Sequence, residues 1–129
     1  MSLNDPLANV LSNIMNYEKI GKKECLVKSS SKFIQNVLKI MKENNYLGDF
    51  KAYEGRGGYI KINLIGKINK CGVIKPRLSF KNADLEKFEK RYLPAKDFGI
   101  IVVSTNKGLM THQECRKKNI GGKLVAYIY

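Results

Sequence analysis

The apolar pattern predicts an α+β fold, with an N-terminal α-β-α-β-β half packed against a mostly β C-terminal half that carries one or two short helices. Three observations predict it. Two stretches before Asn45 repeat their apolar residues at helical spacing, most later stretches alternate with period two or are continuously apolar, and glycine clusters separate them. The change near Gly66 divides the chain into expected halves at residues 1–65 and 66–129. A chain of 129 residues, 43% of them apolar, can bury a core, so wholesale disorder is excluded.

Asp5 and Pro6 read as an N-cap and first helical position, and Leu7, Val10, Leu11 and Ile14 then form one stripe of a helix ending near Gly21. Glu24 to Ser29 is a short strand. Ser30 or Ser31 can cap a second helix striped by Phe33, Ile34, Val37, Leu38 and Met41, which Asn44 and Asn45 stop. Leu47 to Glu54 and Tyr59 to Leu64 alternate around Gly55-Arg56-Gly57-Gly58, so they form a hairpin with Ile60, Ile62 and Leu64 on one face. After the Asn69-Lys70-Cys71-Gly72 turn, Val73 to Phe80 is expected to be one strand. Asn82 is placed to cap a short helix bearing Leu85, Phe88 and Tyr92. Gly99 to Val103 has the continuous apolarity of a strand covered on both faces. Ser104 to Gly108 is then a loop, with Gly108 suited to a positive φ. Thr111-His112-Gln113-Glu114 has capping-box spacing, in which hydroxyl and carboxylate satisfy each other's backbone donors. That box starts a short helix, with His112 expected at the surface. Gly121-Gly122 ends the helix, and Lys123 to Tyr129 closes the chain as a strand with Leu124, Ala126 and Ile128 inward.

Charge directs the functional reading. The chain carries 24 basic and 11 acidic residues, a net charge of +13, which repels itself unless a polyanion is near. Between Arg56 and Lys81 stand Arg56, Lys61, Lys67, Lys70, Lys75, Arg77 and Lys81, with no acidic residue among them. Such a run is ordinarily a solvated face, but the whole-chain excess favours phosphate, and Lys75 and Arg77 are taken as RNA-binding candidates. Only Arg56, Arg77, Arg91 and Arg116 are arginines, so point charges suited to phosphate outnumber planar donors suited to guanine. This composition points to backbone and shape recognition.

Cys25, Cys71 and Cys115 fit neither a disulfide framework nor a paired zinc signature, which suggests a reducing, cytoplasmic setting. The opening lacks a signal-peptide pattern and no apolar run is long enough to span a membrane, so no membrane partner is expected. No enzyme is expected either. His112 is the only histidine, Ser104 and Cys115 do not complete a nucleophilic or metal constellation with it, and Gly55 to Gly58 does not form a phosphate loop. Neither metal nor cofactor is called for. Ser104 to Gly108 follows the buried strand, where its hydroxyl and amide groups could approach ribose 2′-hydroxyls and base edges; alternatively they bond their own backbone.

The segments STNKGLMTHQECRKKNIGGKLVAYIY and NDPLANVLSNIMNYEKIGKKECLVKSSSK resemble the closing and opening motifs of the small-subunit ribosomal protein eight family. Lys81 to Lys96 lengthens the middle as in its archaeal and eukaryotic branch, and Tyr129 stands where the bacterial pattern closes with Trp. The resemblance implies a structural constituent of the small ribosomal subunit: a primary binder of small-subunit ribosomal RNA on a central-domain helix, acting early in assembly. It also implies neighbouring small-subunit ribosomal proteins as partners and a monomer when free. The RNA-contacting loop would be Ser104, Thr105, Asn106, Lys107 and Gly108, oriented by Thr111 and Glu114 through the cap. Asn4, Lys28, Ser31 and Lys32 would add contacts near the first helix and at the strand-to-helix junction. Other readings are a non-ribosomal structured-RNA binder or a repressor of the chain's own messenger RNA and, last, an RNA-modifying enzyme.

Overall fold

A computed structural model describes residues 6–28, 31–53, 57–95 and 98–129. The elements form two compact units, Met1–Lys70 and Cys71–Tyr129, and the fold is α+β as the periodicities predict.

The first unit holds α1 (Pro6–Lys19), β1 (Glu24–Val27), α2 (Lys32–Glu43), β2 (Leu47–Tyr53) and β3 (Tyr59–Leu64). The predicted stripes of both helices are buried apart from Phe33, which is half-buried, and α2 buries Ile40 as well. Gly21 takes a φ of +74°, the left-handed exit that glycine adopts without cost, and its N–H reaches the Glu18 carbonyl at 3.1 Å. Ser31 is the cap of α2, its hydroxyl accepting from the Ile34 N–H at 3.4 Å. Asn44 and Asn45 end that helix, the latter at φ +67°. The sheet order is β1-β3-β2, all antiparallel. Cys25, Val27, Ile60, Ile62 and Leu64 make its buried face. Ser29, Ser30, Glu54, Gly55 and Arg56, which the expected strand end, cap and turn include, lie outside the described residues, as do Asn4 and Asp5.

The second unit holds β4 (Cys71–Val73), β5 (Ser79–Phe80), a 3-10 turn (Asn82–Asp84), α3 (Leu85–Tyr92), β6 (Ile100–Thr105), β7 (Gly108–Thr111), α4 (His112–Lys118) and β8 (Gly122–Ile128). Its strands order as β4-β8-β6-β7, with β5 also pairing β8. Ile101, Val102 and Val103 are fully buried, which bears out the continuous apolar run as the covered strand.

Four details differ from expectation. Val73 to Phe80 is not one strand: β4 begins within the expected turn, at Cys71, and ends at Val73, and β5 is only Ser79–Phe80, with Pro76 between them having no N–H to give a ladder. Either side of that gap the backbone still bonds β8, Ile74 N–H to the Val125 carbonyl at 3.0 Å and the Leu78 carbonyl from Leu124 N–H at 2.9 Å. Asn82 does not cap α3 with its side chain. Its amide donates across to the Cys115 carbonyl at 2.8 Å, while the Asp84 carboxylate accepts the Lys81 N–H at 3.2 Å. In β8, Val125 is buried alongside Leu124 and Ala126, because the register against β6 slips between Val102 and Val103 and breaks the alternation. Finally, α4 ends on Asn119 at φ +54°, and Gly122 already belongs to β8.

Candidate nucleic-acid interface

The segment expected as a loop is the tip of a hairpin. β6 continues through Ser104 and Thr105, Thr105 pairs with Gly108, and only Asn106 and Lys107 make the turn. Both turn residues are exposed, and Gly108 has the expected positive φ, +106°. The Thr105 hydroxyl stabilises the tip, donating to the Gly108 carbonyl at 2.8 Å and accepting the Lys107 N–H at 3.1 Å. This is the backbone-bonding behaviour of a turn threonine. Ser104 is half-buried and lines a shallow hollow with Ser79, Thr105, Asn106, Gly121, Gly122 and Lys123. The glycine pair forms its floor. A Cβ on Gly122 would collide with the Ser104 carbonyl oxygen, and one on Gly121 with that of Phe80. The sequence signals this floor only as a helix terminator. The hollow therefore joins hydroxyls, an amide, exposed backbone and one lysine, a polar set that can donate to and accept from ribose and base edges.

The cap lies at the other end of β7. Thr111 is buried and pairs with Val102, and its hydroxyl accepts the Glu114 N–H at 3.2 Å. The reciprocal contact is between side chains, with the hydroxyl 3.5 Å from the Glu114 carboxylate.

His112 corrects the sequence reading, since it is fully buried. Val102 pairs with Thr111, so His112 occupies the next register position, beside Ile101, as the chain turns into α4. There the imidazole Nδ1 accepts the Ile101 N–H at 3.1 Å, in place of a strand carbonyl. With Nδ1 accepting, the neutral ring carries its proton on Nε2, which lies 3.8 Å from a carboxylate oxygen of Glu89. Glu89, on α3, is itself buried and receives a charge-assisted bond from the Arg116 guanidinium of α4. Periodicity alone cannot find this cluster, because its members come from three elements. Among the described residues, no group of three or more His, Cys, Asp or Glu is placed to hold a metal.

The remaining candidates belong to other elements. Lys75 and Arg77 are exposed in the connection between β4 and β5, so the basic run is shared between the two units. Lys28, Ser31 and Lys32 belong to the first unit, where Lys28 borders a polar hollow with Asn9, Ser12 and Asn13 of α1. Asn4 lies outside the described residues. No helix among the described residues is long and apolar enough to cross a membrane. The family model for Ribosomal protein S8 matches residues 5–129, nearly the whole chain, and the chain therefore belongs to this family of small-subunit ribosomal proteins that bind ribosomal RNA.

Proposed function

We propose that the chain is a primary ribosomal RNA-binding protein that docks on a helix of the small subunit's central domain early in assembly, and that the Ser104–Gly108 hairpin carries its recognition. The observation behind this reading is the hollow in which Ser104, Asn106 and Lys123 meet above the Gly121-Gly122 floor. Ser104 and Asn106 present hydrogen-bonding groups to the RNA, Lys107 and Lys123 neutralise phosphate, and Gly108 admits the turn. Thr105 holds the tip in shape. Thr111 and Glu114 fix the far end of β7 and so orient the tip. Lys75, Arg77, Lys28, Lys32 and Asn4 add backbone contacts, and Ser31 acts through its cap on α2. The protein works in the cytoplasm as part of the archaeal and eukaryotic branch, as a monomer until it meets RNA and its neighbouring ribosomal proteins, and without catalysis.

The test compares affinities for a central-domain ribosomal RNA fragment and for an unrelated structured RNA. Ser104→Ala should weaken only the first, by about 1–3 kcal/mol, as the loss of one buried hydrogen-bond partner does. Lys107→Ala should weaken both alike, because a phosphate contact positions without specifying. If Ser104→Ala binds both RNAs as tightly as the parent, the hairpin is ordinary structure and the assignment fails.

A further inference from the structure

We infer that the outward face of the first unit's sheet is a second RNA-binding surface. It takes an unpaired stretch by stacking a base on the open face of Tyr59, whose other face rests on Tyr53, while Lys28, Lys51 and Lys61 hold its phosphates. Strand alternation makes this face. β3 buries Ile60, Ile62 and Leu64, so Tyr59 and Lys61 point the other way. The register pairs Tyr53 with Tyr59 and Lys51 with Lys61, and sets Leu26 on the other side of Lys61. The two tyrosine rings stack with centroids 4.9 Å apart and planes 17° from parallel. The Lys51 ammonium lies 5.2 Å from the Tyr53 ring centre. Lys28 follows β1 directly, and its stem passes close to Gly57, where a Cβ would stand 2.9 Å from Lys28 Cε.

Two features point to a ligand over a purely structural face. Tyr59 is 42% exposed and Leu26 57% exposed, so these apolar groups add little to the core. Lys51 and Lys61 lie directly opposite each other, and like charges in that position destabilise a sheet. Glu24 reaches Lys61 at 3.4 Å, but both side chains are well exposed, so the pair offsets little of the repulsion. A phosphate between the lysines would remove it. A π-stack flanked by cations is the arrangement that grips single-stranded nucleic acid with little regard to base identity. This inference goes beyond the hairpin reading and, apart from Lys28, involves residues that reading does not use, in the other unit.

The experiment measures binding of the full chain to a labelled oligouridylate octamer and to an abasic ribose-phosphate octamer of equal charge. The parent should prefer the oligouridylate by roughly tenfold, the size of one base stack. Tyr53→Leu/Tyr59→Leu should erase that preference without weakening the abasic octamer, and Tyr53→Phe/Tyr59→Phe should keep it. Lys51→Ala should weaken both oligomers. Should the double leucine variant fail to fold, the ring resonances of Tyr53 and Tyr59 in the parent decide. An upfield shift on adding oligouridylate supports stacking, and unmoved rings overturn it. Equal binding of the two octamers by the parent would also overturn it and leave this face to a protein neighbour. A chain that fails on the ribosomal fragment yet discriminates here loses the hairpin and keeps this surface, and the reverse result does the opposite.

Discussion

The imidazole of His112 does the work of a strand carbonyl, accepting the Ile101 N–H where β7 has already given way to α4. His112→Ala removes that acceptor and leaves a void in the core. It should destabilise the fold by about 2–4 kcal/mol in denaturant titration, while RNA affinity measured well below the melting point changes little. The sequence shows Thr111 and Glu114 as a cap, but a surface histidine and a buried one read alike at that spacing. What decides between them is the register of a hairpin whose turn is two residues long. Cys25 gives a second prediction at this scale. Burial pushes its thiol up from 9.0 to about 11. Between those values the folded chain keeps a proton that the unfolded chain releases, so stability falls as pH rises through the window, by about 2–3 kcal/mol once pH passes the upper value. Unfolding measured near both ends, in the parent and in Cys25→Ala, should show a steeper alkaline loss in the parent. Burial also raises the Cys115 thiol, so neither cysteine should react readily with alkylating reagents in the native protein.

Elements with a clear period were legible from the residues. The stripes of α1 and α2, the inward face of β3 and the covered β6 depend on local alternation, which the chain states without help from distant partners. The slip that buries Val125 depends on pairing between β6 and β8, some twenty residues apart, and no local window contains that information; the break at Pro76 and the two-residue turn at Asn106 and Lys107 are local, but alternation alone does not mark them. Of the candidate site, the residues of the tip were visible as a polar stretch. Its floor was not, because Gly121 and Gly122 matter for what approaches them and not for where a helix ends. Gly122→Ala would place a methyl group against the Ser104 carbonyl oxygen, so β6 and β8 must separate at that point. The expected cost is on the order of 2 kcal/mol or more, with the melting point and RNA affinity falling together. An alanine that left both unchanged would mean the strands can part there freely.

At the level of the whole molecule, the charge of +13 is the property that the RNA partner must answer. Lysines that displace condensed counterions should give a log affinity that falls with log salt at a slope on the order of −3 to −6, read from titrations of the full chain with the ribosomal fragment. A flat line would remove the electrostatic part of the account. Arg116 differs from the surface cations in having a buried partner: it is held by Glu89, beside His112. That pairing constrains substitution. Losing the arginine alone strands a buried carboxylate, and losing the carboxylate alone leaves the arginine without its anchor, whereas an apolar pair of similar volume can fill the same space. Single replacements at these two positions, 27 residues apart in the sequence, should therefore each cost more stability than the paired replacement, so either site becomes tolerant only once the other has changed.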